Sequence, residues 1–310
     1  MQNFLTTDEI FIAAHEHHKK NNYKEAEKNY KKILQLNPNH FDSIFFLGTL
    51  SAQTSKYDQA TEFLSKAKII QPENLNVHIN LGNVFMEVKN YNKAAIAYEK
   101  VIKINPNSIS AYNNLGVIFR KKGDFQKAIS YYKKVIKLRP QNADAFNNLS
   151  LVYRDLKKYV NEKNCYTKAI KINNKHANSY YNLAVLNQTT GNIQQAIFLY
   201  RKAADYEPEN LIHYYHLTDL NKTLLDDDLK SKINQVMNKT NCTLQSLAYG
   251  HFLMSRYEAK NNNYEKEFDF LKIGHQIFFD SKQKEFKDKI NYWFNNINDV
   301  KKIKIEQNKN

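Results

Sequence analysis

The chain has 310 residues, 42% of them hydrophobic, with only 7 glycines and 5 prolines, which disfavours a loop-rich β protein and points to helices around a substantial core. The formal charge of +15 raises nucleic acid or a membrane surface as partners, but the lysines alternate with acids along the chain and read as solvated faces, so neither is expected. The opening "MQNFLTTDEIF" lacks a basic start followed by an apolar run, and no apolar stretch approaches the roughly 20 residues that span a bilayer; a soluble, cytoplasmic protein is expected.

In chain order the sequence repeats with a period of 34. Six units occupy 7–40, 41–74, 75–108, 109–142, 143–176 and 177–210, and a seventh first helix begins at 211 and ends near 224. The first half of each unit carries an apolar stripe at helical spacing, Tyr112, Leu115 and Phe119 in the fourth. The next residue after the leucine position is small: Ala14, Gly48, Gly82, Gly116, Ser150 and Ala184. A glycine inside a helix costs about 1 kcal/mol against alanine, so close helix crossing is expected there. The second half has its own stripe, Ala128, Tyr132 and Val135, with small residues recurring at Ala26, Ala60, Ala94 and Ala196, and large ones at Tyr30, Leu64, Tyr98, Tyr166 and Tyr200. A polar turn separates the halves, followed by Tyr23, Tyr57, Tyr91, Phe125, Tyr159 or Ile193, which should pack beneath the turn. Pro38, Pro72, Pro106, Pro140 and Pro208 stop the second helix in register. The fifth unit departs from the pattern: Glu162 replaces the small residue and Asn174 the proline, so a looser junction and a paired or snorkelling carboxylate are expected there.

This pattern closely resembles the tetratricopeptide repeat family over residues 7–224. The resemblance implies an all-α fold: antiparallel helix pairs stacked into a right-handed superhelical solenoid, with the tyrosines and phenylalanines as core. It also implies that the first helices line a concave surface. The residue one step before the leucine position, two before the small one, then looks into the groove: Ile12, Phe46, Asn80, Asn114, Asn148, Asn182 and His216. The four asparagines resemble the asparagine ladder in the repeat domain of the nuclear and cytoplasmic O-linked N-acetylglucosamine transferases, where matching residues hold substrate peptides. A side-chain amide pairs with a peptide C=O and N–H together, so Asn80, Asn114, Asn148 and Asn182 are candidates for gripping an extended peptide by its backbone. The alternative is drift in an asparagine-rich chain, which Asn113 and Asn147 illustrate. Phe46, Arg120, Arg154 and Tyr181 complete the candidate groove, apolar early and mixed later. The positions that bear the lysines and arginines of an Hsp70/Hsp90 carboxylate clamp carry Phe11, Phe45, Ile79, Asn113 and Asn147 here, so that partnership is disfavoured.

Beyond 224 the register is lost. Residues 225–297 read as a helical capping region and 298–310 as a basic tail. Leu229, Ile233 and Val236 form one amphipathic stripe, and Leu247, Phe252 and Tyr257 a second. Tyr264, Phe268, Leu271 and Ile277 form a third, and Phe286, Ile290, Trp293 and Phe294 a last helix over about 281–297. The segment "LAYGHFLMSRYEAKNNNYEKEFDFLKIGHQIF" resembles the junction in bacterial fusions of tetratricopeptide repeats with a sulfotransferase domain, without the phosphate-cradling loop of that domain. Cys165 and Cys242 lack metal-ligand spacing and read as reduced thiols. His15, His17 and His18 have no completing ligands, His17 being expected to pack. No phosphate-binding loop or nucleophile–base pair appears. The expectation is a non-catalytic scaffold for a protein or extended peptide segment, with no cofactor or metal. The alternatives are the recognition portion of a split sulfotransferase or glycosyltransferase, with its catalytic domain on another chain, or a structural assembly module.

Overall fold

The computed structural model describes residues 6–282, so the stripe at Phe286–Phe294 and the basic tail lie outside the described residues. All its regular elements are helical, and among the described residues no helix is long and apolar enough to cross a membrane. The chain divides into two compact units, residues 1–165 and 166–310, with the division inside a helix.

The first unit contains α1 (Thr7–Lys19), α2 (Tyr23–Leu36), α3 (Phe41–Gln53), α4 (Tyr57–Ile70), α5 (Leu75–Glu87), α6 (Tyr91–Ile104), α7 (Ile109–Lys121), α8 (Phe125–Leu138), α9 (Ala143–Asp155) and the start of α10 (Tyr159–Ile172). Its first helices have 13 residues and its second helices 14, without insertion. The 34-residue period therefore reflects a fixed geometry. A short turn closes each pair through a residue at positive φ: Asn21, Ser55, Lys89, Gly123 and Lys157, with φ from 54° to 79°. The following N–H bonds back to a carbonyl five residues earlier, as from Asp124 to Phe119 (2.9 Å) and from Lys158 to Tyr153 (2.8 Å). This is the Schellman closure that satisfies the end of the first helix. Next comes a second helix that ends on an extended residue, Asn37, Gln71, Asn105 or Arg139, just before each proline. Side chains of His40, Asn74, Ser108 and Asn142 then cap the next first helix.

Packing follows the two small-residue positions. Ala26, Ala60, Ala94 and Ala128 have no exposed surface, and Tyr30, Leu64, Tyr98 and Tyr132 are at most 1% exposed. A Cβ on Gly116 would lie 2.6 Å from the Tyr132 ring, on Gly82 2.7 Å from Tyr98, and on Gly48 2.7 Å from Leu64. The glycines thus make room for the large residue of the partner helix. First helices of neighbouring pairs also touch, α3 with α5 and α7 with α9, forming an inner layer.

Tyr23, Tyr57, Tyr91 and Phe125 are half-buried and pack against the core. Of the two outcomes expected for Glu162, snorkelling does not occur, since the residue is 1% exposed. Two expectations need correction. Tyr159 is 46% exposed rather than packed beneath its turn. The core histidine of α1 is His18, whose ring meets Tyr23, Tyr30 and Phe46 and whose Nε2 bonds Gln53 (2.7 Å); His17 sits at the rim against Asn22.

The second unit contains the rest of α10, then α11 (Ala177–Thr189), α12 (Ile193–Tyr206), α13 (Leu211–Leu220), a 3-10 turn (Lys222–Leu224), α14 (Asp227–Met237), α15 (Leu244–Lys260) and α16 (264–282). Gly191 turns α11 into α12 at φ 82°, and Ala196 and Tyr200 fill that pair. Helix α13 stops at ten residues, and α14 packs on α15 instead. Ser246 bridges this change, donating to the Glu209 carbonyl (2.8 Å) and accepting from the Leu211 N–H (3.1 Å). The repeat geometry then returns: Asn262 turns α15 into α16 at φ 59°, with the Asn263 N–H on the Glu258 carbonyl (2.9 Å). Helix α15 buries Ala248, Leu253 and Met254; Leu247, Phe252 and Tyr257 are only half-buried. Helix α16 is rotated from the expected stripe, leaving Tyr264 and Phe268 exposed. It comes close to α15 at Gly274, which is buried and where a Cβ would meet the Phe252 ring at 2.7 Å.

Candidate binding face of the first helices

Asn80, Asn114 and Asn148 stand at one register position on α5, α7 and α9, and all three are half-buried. Each belongs to the position that lies over the large core residue of the preceding pair. The aromatic cases show the contact directly: Phe46 stacks on Tyr30 (5.9 Å between centroids, 9° between planes) and, in the second unit, His216 stacks on Tyr200 (5.6 Å, 14°). Asn114 makes the same approach through its amide, which hydrogen-bonds the Tyr98 hydroxyl. That hydroxyl in turn donates to Asn83 Oδ1. Where Phe46 replaces the amide, the buried Tyr30 hydroxyl has no partner among the described residues. Burial pushes the Tyr30, Tyr98 and Tyr132 hydroxyls up to about 12, so they remain protonated donors.

The three amides differ in what they have left to offer. Asn80 Nδ2 donates to Thr49 Oγ1 (3.1 Å), because Leu64 beneath it has no hydroxyl. Asn114 is partly engaged by Tyr98. No hydrogen bond is seen for the Asn148 amide among the described residues. Beside this row, Asn147 is buried and the Asn113 Oδ1 atom is shielded from solvent without a partner. Asn113 is therefore not simply a solvated residue.

Arg120 is no free cation. Its Nε and Nη2 grip the Asp155 carboxylate at 2.6 and 3.3 Å, bidentate, tying α7 to α9. Arg154, half-buried on α9, has no ion pair among the described residues and supplies a cation beside the amide row. Phe46 is held by Phe11, His15, His18 and Phe45 as well as Tyr30.

Asn182 occupies the same register position on α11 in the second unit, half-buried. Its neighbour Tyr181 leans on Tyr200, His213 and His216 at 5.2 to 5.7 Å. Tyr215 continues this aromatic face towards Tyr249 and Phe252. Burial holds His213 and His216 below the usual histidine range, outweighing Glu207 beside His213 and Asp219 near His216. Arg256 lies 3.8 Å from the Tyr215 ring centre, donates to the Tyr215 carbonyl (2.7 Å) and pairs with Asp219 (3.0 Å). Sequence reading missed Arg256, though a period-34 alignment carried past the register break at 226 places Tyr249 below Tyr215 and Tyr181.

Tetratricopeptide repeat models match residues 109–142, 143–176 and 165–198, and a TPR repeat model matches 82–123. The first two spans coincide with the fourth and fifth units of the 34-residue period. The chain carries tetratricopeptide repeats. A model described as anaphase-promoting complex, cyclosome, subunit 3, matches residues 19–99. Among solved structures, the tetratricopeptide chain is similar to PilW, described as a widely conserved type IV pilus biogenesis factor. The TM-score is 0.55 at 18% identity, covering 65% of this chain and 94% of that one. It is also similar to a MamA RS-1 double mutant (TM-score 0.51, 18% identity, 54% and 93% covered). At these identities the likeness concerns the fold alone. No curated protein gives a significant sequence match.

Proposed function

We propose that this tetratricopeptide chain is a non-catalytic protein-interaction scaffold whose first-helix face holds an extended peptide by its backbone. The observation that carries this reading is the Asn148 amide: half-buried, in register with Asn80 and Asn114, and without a hydrogen bond among the described residues. Such an amide offers one acceptor and two donors to a peptide unit. The half-buried Arg154 guanidinium adds a cation on the same helix as Asn148. Asn182 extends the register in the second unit. The split-transferase alternative rests on the sequence of 247–278 alone, and the repeat-like turn at Asn262 accounts for that segment as a further helix pair.

The reading separates the asparagines by role. In a phage-displayed random peptide selection, the recovered peptides should lose about tenfold in affinity on Asn148→Ala, the equivalent of one bidentate amide contact, with no change in thermal stability. Asn114→Ala should cost stability as well, since Tyr98 loses a partner. Peptides that bind Asn148→Ala as tightly as the natural chain would overturn the proposal.

A further inference from the structure

A cleft of about 520 Å³ lies in the first unit between α4, α5 and α6, away from the asparagine row. Its origin is a single small residue. Ala97 stands 34 residues after Phe63 and 34 before Tyr131, so the units on either side carry an aromatic ring at this position. In the fourth unit Tyr131 stacks on Phe119 (5.5 Å, 27°) and leans on Tyr112 (6.2 Å), filling the space. In the third unit the counterparts of these three residues are Ala97, Phe85 and His78. The ring is absent and its seat remains. His78, where the fourth unit has Tyr112, lines the seat and is fixed there by the bond between its Nε2 and the Pro72 carbonyl (2.7 Å).

The seat has an apolar floor and a basic rim. Leu81 and Ala97 lie at the bottom beside Phe85, while Ile96 is 67% exposed on the wall, where Lys28, Glu62 and Ser130 stand in other units. Lys68, Lys93 and Lys100 surround it. Glu73 neutralises Lys100. Lys93 rests over the Phe85 ring at 5.6 Å, and neither it nor Lys68 has an ion pair among the described residues. The rim is therefore net positive around a slot shaped for a ring.

We infer that this cleft receives an aromatic side chain presented by an acidic segment of a partner protein. The ring takes the place that Tyr131 fills next door, and flanking carboxylates meet Lys68 and Lys93. Charge complementarity selects the acidic segment over a basic or neutral one, and the missing ring selects the anchor.

The test uses a fluorescein-labelled, glutamate-rich peptide with one central tryptophan, followed by anisotropy with the full-length protein. Binding should weaken about tenfold when the probe's tryptophan is replaced by alanine. It should weaken similarly between roughly 50 mM and roughly 500 mM NaCl. Ala97→Tyr, which supplies the missing ring from within, should abolish binding while leaving the circular dichroism spectrum and melting temperature unchanged or raised. Lys68→Glu with Lys93→Glu, both at exposed positions, should do the same through the rim and stands as the second variant if Ala97→Tyr misfolds. Equal binding to Ala97→Tyr, equal binding of a lysine-rich peptide with the same tryptophan, or no binding to the natural chain overturns the inference.

Discussion

Gly116→Ala tests the packing argument at its tightest point. The added Cβ would lie 2.6 Å from two Tyr132 ring carbons and 3.0 Å from a third, against an optimal carbon–carbon separation of about 3.5–4.0 Å. The ring is 1% exposed and cannot swing into solvent, so α7 and α8 must separate. Overpacking of this kind costs about 1–3 kcal/mol. Alanine returns about 1 kcal/mol through helix propensity. The expected net effect is a loss of up to about 2 kcal/mol. In a Tyr132→Ala background, itself destabilised by about 3–5 kcal/mol, the clash is gone and Gly116→Ala should stabilise by about 1 kcal/mol. Urea denaturation followed by far-ultraviolet circular dichroism measures all four corners of this cycle. Alanine is native at Ala14 and Ala184, each opposite its own tyrosine, so the penalty measures adjustment between two helices rather than absolute exclusion. Gly116→Ala raising the urea midpoint equally in both backgrounds would refute the close-crossing account.

Two further outcomes follow from other features. Lys89 sits at φ 57°, a conformation that costs a non-glycine residue roughly 1–2 kcal/mol; Lys89→Gly should therefore raise stability by about 0.5–1 kcal/mol in a urea titration, after the entropic cost of glycine. In the second unit His213, His216 and His251 are all held below their usual range by burial. The unfolded chain then binds more protons than the folded one at pH values below the unfolded histidine value of about 6.5. Stability should be flat above that value and fall as pH drops below it, towards the lowered folded values. His213→Gln should flatten that fall in urea midpoints taken at successive pH values.

The sequence made the fold legible because the period is free of insertions through six units. Glycine or alanine at one position and tyrosine or leucine at another recur together because each makes room for the other in space. Neither the α16 rotation nor the burial of Glu162 was legible in this way. The first goes with the approach of Gly274 to Phe252, a contact between helices that no single-helix stripe records. A lone polar residue in a stripe, as at Glu162, does not announce whether it turns inward or outward. The candidate face was half legible. Register identified the asparagines, but not which amide is engaged: Asn80 reaches Thr49 and Asn114 reaches Tyr98, whereas Asn148, 16 residues after Tyr132 as Asn114 is after Tyr98, has no hydrogen bond among the described residues. The Arg120–Asp155 pair joins residues 35 apart, one more than the period, so alignment by unit sets them in different columns. Ala97 was visible as a letter, but its meaning required seeing Tyr131 in its seat.

The strict alternation of 13- and 14-residue helices also bears on how the chain reaches its structure. The large residue of each second helix meets the small residue of its own first helix within a segment of the same short length, so each closure carries about the same entropic cost. No pairing has to wait for distant parts of the chain, which favours fast folding from local contacts. During synthesis each helix of a repeat has its main partner at hand as soon as the second helix of its own unit has been added, and growth proceeds in equal steps.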